Sequence, residues 1–220
     1  MTASFRLFPA AALALIAATA LAGCKSRGDI VVDQGVGITA VRSRCPAVGI
    51  PDFTGDVTLF RVAGDRTAGN IDVVAAMTNL RAQCSETADK VFASVRFDVL
   101  ARRADASAAR QVTVPYFVTV LRGGTAVVTK RVGTVTLDFA AGQERAQASG
   151  EGSAYIDRAE ATLPDDIRQR ITRERKAGDV DAAVDPLAEP DVKAAVARAN
   201  FELLVGFQLD ESQIAYNATR

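Results

Sequence analysis

Between Val91 and Ala101 the chain alternates without a break. Val91, Ala93, Val95, Phe97, Val99 and Ala101 share one parity, and Phe92, Ser94, Arg96, Asp98 and Leu100 share the other. Successive side chains of an extended strand point to opposite sides, so this parity builds one apolar face and one mostly wetted face. A helix would scatter the same residues around its circumference. A strand of this kind has to cover its apolar face with a second layer, and that requirement governs what the rest of the chain can be.

The flanking stretches supply strands for such layers. Cys45-Pro46 opens an extended segment, and DVTLFRV, from Asp56 to Val62, reads as a first strand. Gly64-Asp65 and Gly69-Asn70 mark a turn-rich connection, after which Ile71, Val73, Ala75 and Met77 alternate on a strand running towards Cys84. The small, polar stretch from Asp105 to Ala109 is a hairpin connection. Val112, Val114, Tyr116, Val118 and Val120 then form another apolar face, within which Pro115 cannot donate to a ladder and predicts an edge position or a bulge. Gly123-Gly124 is a two-residue hairpin signal. Thr125 to Phe139 returns as a long strand, expected to be irregular near Gly133, where the apolar face switches. Arg145 to Ile156 closes the block, with Ala146, Ala148, Gly150, Gly152 and Ala154 on one face small enough for close approach of another layer. Residues 45–157 therefore hold about six strands at hairpin spacing, the pattern of an antiparallel immunoglobulin-like β-sandwich.

The pattern changes over residues 158–220. Thr162-Leu163-Pro164-Asp165 has the spacing of a capping box in an acidic variant, Leu163, Ile167 and Ile171 recur on one helical face, and Gly178 is a fitting stop. A second short helix is predicted from Pro190 to Ala199, with Val192, Ala195, Val196 and Ala199 inward. Phe201, Leu203, Val205, Phe207 and Leu209 alternate as a final strand that should rejoin the sandwich, and Asp210 can cap a last short helix through Tyr216. The expectation is thus a mainly β fold, a sandwich carrying two or three short C-terminal helices and a final strand packed on it.

Residues 1–23 have the anatomy of a secretory signal: Arg6, an apolar stretch from Leu7 to Ala20, and small residues before Cys24. The apolar run falls short of the roughly 20 residues of an ordinary spanning helix. Leu21-Ala22-Gly23-Cys24 resembles the bacterial lipobox. That resemblance implies cleavage between Gly23 and Cys24 and covalent lipid on Cys24, a diacylglyceryl group on sulfur and an acyl chain on the amine. Several chains hold a protein firmly on its membrane, since each buried CH₂ contributes about 0.8 kcal/mol. Lys25 follows, where an Asp would mark inner-membrane retention in the best-known sorting scheme, so the resemblance points to the outer membrane. Residues 24–44 are charged and glycine-bearing and read as a flexible tether.

The chain has three cysteines. Lipidation of Cys24 accounts for the odd one, and Cys45 and Cys84 are left to form a disulfide in an oxidising compartment. The rival readings are two free thiols, which an oxidising compartment disfavours, and a metal pair, for which two cysteines without histidine, of which the chain has 0, make a poor site. That absence also excludes Ser-His and Cys-His catalysis. Bases and acids balance at 26 each, and loss of Arg6 with the leader leaves one more acid than base, so no general nucleic-acid affinity is expected. No nucleophile elbow, Ser-x-x-Lys pair or phosphate loop occurs. No catalytic residue, metal ligand or cofactor is therefore assigned beyond the lipid on Cys24.

Three weaker features remain. Arg168, Arg170, Arg173, Arg175 and Lys176 follow Asp165-Asp166 on a helix and could touch an anionic surface, although the same arrangement also suits the helix dipole. Asp179, Asp181, Asp185 and Glu189 approximate a calcium loop, but Val184 and Pro190 stand where Gly and Glu belong. Pro115-Tyr116-Phe117 and Gly206-Phe207-Gln208 could line an apolar cleft or simply fill the core; no Trp is present to stack on sugars.

Arg44-Cys45-Pro46, Val114-Pro115-Tyr116-Phe117, Val205-Gly206-Phe207-Gln208-Leu209 and Tyr216-Asn217 together resemble a family of uncharacterised envelope lipoproteins of alphaproteobacteria. The strand block is more distantly similar to FxLYD-type and late-embryogenesis-abundant-type immunoglobulin-like sandwiches, although Phe97-Asp98-Val99-Leu100-Ala101 lacks the Tyr-Asp ending of the FxLYD pattern. The family resemblance implies an exported envelope protein and lends no activity. The tether, the disulfide and the lack of catalytic motifs lead to the expectation of a lipid-anchored, non-catalytic protein facing the periplasm and binding an envelope protein or cell-wall material. The alternatives are a carrier of an apolar small molecule or lipid and, more remotely, a Ser- or carboxylate-based hydrolase.

Overall fold

A computed structural model describes residues 42–219. The leader, the Gly23-Cys24 junction, Lys25 and the expected tether up to residue 41 lie outside the described residues. Two sheets face each other. The strands are β1 (Ala47–Gly49), β2 (Asp56–Phe60), β3 (Ile71–Glu86), β4 (Lys90–Arg103), β5 (Arg110–Arg122), β6 (Ala126–Phe139), β7 (Arg145–Asp157) and β8 (Phe201–Phe207); the helices are α1 (Asp165–Thr172), α2 (Pro190–Ala199) and α3 (Glu211–Thr219). One sheet runs β2-β3-β4-β7 and the other β1-β8-β5-β6. The chain crosses from β4 to β5, returns at β7 to lie beside β4, and crosses again so that β8 lies beside β5. This is the connectivity of an immunoglobulin-like sandwich. All pairings are antiparallel except β1 with β8, which run parallel from Ala47↔Glu202 to Gly49↔Leu204. These two strands are separated by most of the chain, so no hairpin dictates their relative direction.

The parity of β4 holds along its length. Val91, Ala93, Val95, Phe97, Val99 and Ala101 are buried, in one cluster with Val118, Val135, Leu137, Leu203, Val205 and Phe207 of the facing sheet. Each large aliphatic or aromatic residue so buried contributes about 1.5–3 kcal/mol of transfer free energy. A second cluster joins Leu163, Ile167 and Ile171 to Val192, Ala195 and Ala199, so α1 and α2 share an apolar seam of their own in the β7–β8 connection. None of the described helices is long and apolar enough to cross a membrane.

Several local expectations are corrected. Pro115 lies in an interior strand with no bulge beside it. Its carbonyl accepts from the Gln208 amide at 2.9 Å, just past the end of β8, so the missing N–H faces the place where that ladder stops. Gly133 pairs regularly with Tyr116; the irregularity of the β5–β6 ladder falls between Val120 and Leu121, near the hairpin, where Gly123 and Gly124 take φ of 63° and 77°. The first strand stops at Phe60, because buried Asn70 gathers the following loop by bonding the Val62 amide and the Val62 and Asp65 carbonyls. The Thr162 capping box does not form: the Thr162 hydroxyl donates to the Arg158 carbonyl and accepts from Arg44, while Pro164 occupies the cap position without a side-chain bond. Helix α1 ends at Thr172, well before Gly178. A reciprocal box does form at Asp210, whose carboxylate accepts from the Gln213 amide at 2.8 Å while the Gln213 side chain accepts from the Asp210 amide at 2.9 Å; α3 then continues to Thr219.

Cys45 and Cys84 form a disulfide, tying the residue ahead of β1 to β3 in the opposite sheet. Arg42 and Arg44, at the end of the expected tether, are held on the body: Arg42 donates to Asn200 at 2.8 Å, and Arg44 donates to Thr162 at 2.9 Å and pairs with Glu86 at 3.1 Å. Glu174–Ala183 falls in a second compact unit. Within it the Asp179 carboxylate accepts from the Lys176 amide and Arg175 pairs with Asp181 at 3.4 Å.

Candidate binding cleft at the open edge of the sandwich

β6 and β7 are terminal strands of their sheets, and both lie on the same side of the sandwich. Tyr116 of β5 spans the gap between them. Its ring crosses Gly133, where an added Cβ would meet the ring at 2.7 Å, and its hydroxyl donates to the Glu151 carbonyl of β7 at 2.9 Å. The Phe97 ring meets it edge-on, centroids 5.1 Å apart. On β7, Gly150 and Gly152 lie against Phe97 and Val118 where a Cβ would stand 2.3 and 2.6 Å away. The small-residue face of β7 is thus the means by which the sheets close on each other.

On the hairpin side of Tyr116 a cleft of about 560 Å³ opens, lined by Arg81, Phe92, Arg96, Arg131 and Glu151 among others. Its walls come from both sheets. Arg81 is placed by an irregularity in β3: Asn79 takes φ of 53° and the register against β4 shifts between Thr78 and Arg81. The one extra residue brings Arg81 over Asp98 in a two-bonded pair at 2.9 and 3.0 Å, with Asn79 and Ser149 donating to the same carboxylate at 2.6 and 2.9 Å. Asp98, on the parity expected to be wet, is only 8% exposed. Arg81, Asn79 and Ser149 hold its carboxyl well below the usual carboxylate range. Arg96 stands 3.5 Å from Glu151 with both side chains well exposed. A pair of this kind is worth about 0–1 kcal/mol.

The adjoining half of β6 is open on both faces. Every residue from Ala126 to Val132 is exposed, including Val127 at 65%, Val128 at 55% and Val132 at 60%. The Lys130 ammonium lies 5.1 Å from the Phe117 ring. Among the described residues, no carboxylate pairs with Lys130 or Arg131. Chemically the site is a strand edge carrying two cations without a carboxylate partner among the described residues, Lys130 and Arg131, beside two arginines engaged by Asp98 and Glu151. Guanidinium groups hold carboxylates and phosphates through paired donors and do not release protons near neutral pH. Each carboxyl shift resolved among the described residues is downward, at Asp65, Asp98, Asp105, Asp191 and Asp210. The arrangement can hold carboxylate or phosphate groups through charge-assisted hydrogen bonds.

The residues singled out from the sequence are distributed elsewhere. Arg168 is bonded to Asp165 at 2.7 Å, and Arg170 is held by Glu189 and by Asp191 at 2.6 Å, which pushes its guanidinium further up. Arg173 caps the end of α1, and Arg175 and Lys176 lie in the second unit, so the five cations do not share one helix. Of the acids in the calcium-like spacing, Asp185 accepts from the Leu187 amide and Glu189 faces Arg170; no group of three or more potential ligands is placed to hold a metal ion among the described residues. Tyr116 lines the cleft, whereas Phe117 and Phe207 are buried. Arg81, Arg96 and Arg131 escaped sequence reasoning because strand register alone makes them neighbours. The one local signal was Lys130-Arg131 set among exposed valines.

No family model matches the chain, and no curated protein or solved structure matches it either.

Proposed function

We propose that this protein is a lipid-anchored binding module of the bacterial cell envelope, cleaved at Gly23 and held through lipid on Cys24 with its sandwich facing the periplasm, at the outer membrane. The lipobox resemblance supports the anchor, and the resemblance to alphaproteobacterial envelope lipoproteins agrees with it. The single observation that carries the binding role is the free edge of β6, exposed from Ala126 to Val132 and bordered by an arginine-lined cleft. Long edges with exposed apolar residues are where sheets recruit other chains. A non-catalytic role fits the absence of histidine from the sequence. The carrier reading places a ligand between the sheets or under the two helices; Val95, Phe97, Val118, Leu137 and Phe207 occupy the first of these places.

Two experiments test the reading. Cys24→Ser should move the protein from the membrane fraction to the soluble fraction; firm membrane association of the variant would defeat the anchor. A photo-crosslinking residue at Val127 or Val132 in intact cells should give a reproducible partner, while the same residue at Leu100, on the outer face of the other sheet, should not. A chain that remains uncrosslinked from every exposed position at native abundance would refute the binding role.

A further inference from the structure

We infer that the free edge of β6 takes an extended acidic segment of another protein as an added strand, with carboxylates of that segment on Lys130, Arg131 and Arg96. The inference rests on the binding-module reading above and names the partner's chemistry. Three features converge on it. The backbone of Ala126–Val132 pairs only with β5 among the described residues, leaving outward N–H and C=O groups available to a further strand. Val127 and Val132 are more than half exposed and offer apolar contact along that strand.

Charge then selects the occupant. From Ala126 to Leu137 the strand contains no acid, and Lys130 and Arg131 have no carboxylate partner among the described residues; in the adjoining cleft Arg81 is held by Asp98, and Arg96 shares only an exposed 3.5 Å contact with Glu151 that an incoming carboxylate can replace. Adjacent residues of a strand point to opposite faces, so Lys130 and Arg131 address both faces of an incoming segment. Carboxylates at successive positions of that segment would meet them in turn. A second copy of this chain is the wrong occupant, because antiparallel pairing of two β6 strands brings like charges together. The cations that guard the edge against self-association are therefore the ones that admit an acidic strand.

The test uses the full lipidated chain in detergent micelles and a fluorescent peptide of Val-Glu-Glu-Val repeats, with two comparison peptides: one with Lys for Glu, one with alternate backbone N–H groups methylated. The acidic peptide should bind, and both comparison peptides should bind at least about tenfold more weakly, a difference of about 1.4 kcal/mol. Lys130→Glu with Arg131→Glu should abolish binding of the acidic peptide and admit the lysine peptide, with an unchanged thermal transition as the control for folding. Equal binding of the methylated peptide would mean charge attraction without strand addition and would overturn the inference, as would no binding of the acidic peptide to the folded chain. A partner crosslinked in cells only from another surface would leave the binding-module reading standing and remove this one.

Discussion

The hydroxyl of Tyr116 donates to the carbonyl oxygen of Glu151 at 2.9 Å, across the edge where the two sheets would otherwise part. The ring reaches there only because Gly133 lies beneath it. Tyr116→Phe should cost about 0.5–1.5 kcal/mol, the usual worth of one hydrogen bond. Gly133→Ala should cost about 1–3 kcal/mol by displacing the ring. In a Tyr116→Ala background the same Gly133→Ala change should cost little. Urea denaturation of the four variants measures the coupling; additive effects would show that ring and glycine do not depend on each other.

Asp98 gives the fold a defined acid sensitivity. Its folded carboxyl titrates below the unfolded value because Arg81, Asn79 and Ser149 all favour the ionised form. The unfolded chain therefore binds protons first, and the stabilisation is fully present above the ordinary carboxylate range, near pH 4. It is lost as pH falls from there towards the depressed folded value. Asp98→Asn should lower stability at neutral pH and flatten the acid limb of a stability–pH profile. A variant whose acid limb matches that of the parent would place the sensitivity elsewhere.

The Cys45–Cys84 bridge closes a loop with a sequence separation of 39. In the chain-entropy model that stabilises the fold by about 4 kcal/mol. Cys45→Ser, Cys84→Ser and reduction of the parent with dithiothreitol should lower stability by similar amounts in chemical denaturation. An unchanged midpoint after verified reduction would contradict the model.

Helix α3 is fastened at both ends. Asp210 caps its start, and the buried Asn217 amide donates to the Phe53 and Asp56 carbonyls, both at 2.8 Å. Asp210→Ala should cost about 1 kcal/mol. Asn217→Ala strands two carbonyls near the core and should cost about 1–3 kcal/mol. Hydrogen exchange should show the first variant fraying only α3, and the second also loosening the segment from Phe53 to Asp56.

The sequence by itself determined the layers. Strand parity is a local property, so the buried faces of β4 and β8 and the apolar stripe of Leu163, Ile167 and Ile171 were legible residue by residue. The disulfide followed from cysteine parity once Cys24 was set aside. Only the tertiary structure decided which strands became neighbours. Pairing between distant strands depends on how two whole sheets bury their faces, and no window of sequence contains that information. For this reason Pro115 lay in an interior strand, β1 ran parallel to β8, and Asp98 was buried on a face of wetted parity. The cleft has the same origin: Arg81, Arg96 and Arg131 come from three strands, and the shifted register of β3 with the crossing of Tyr116 at the open edge brings them to one place.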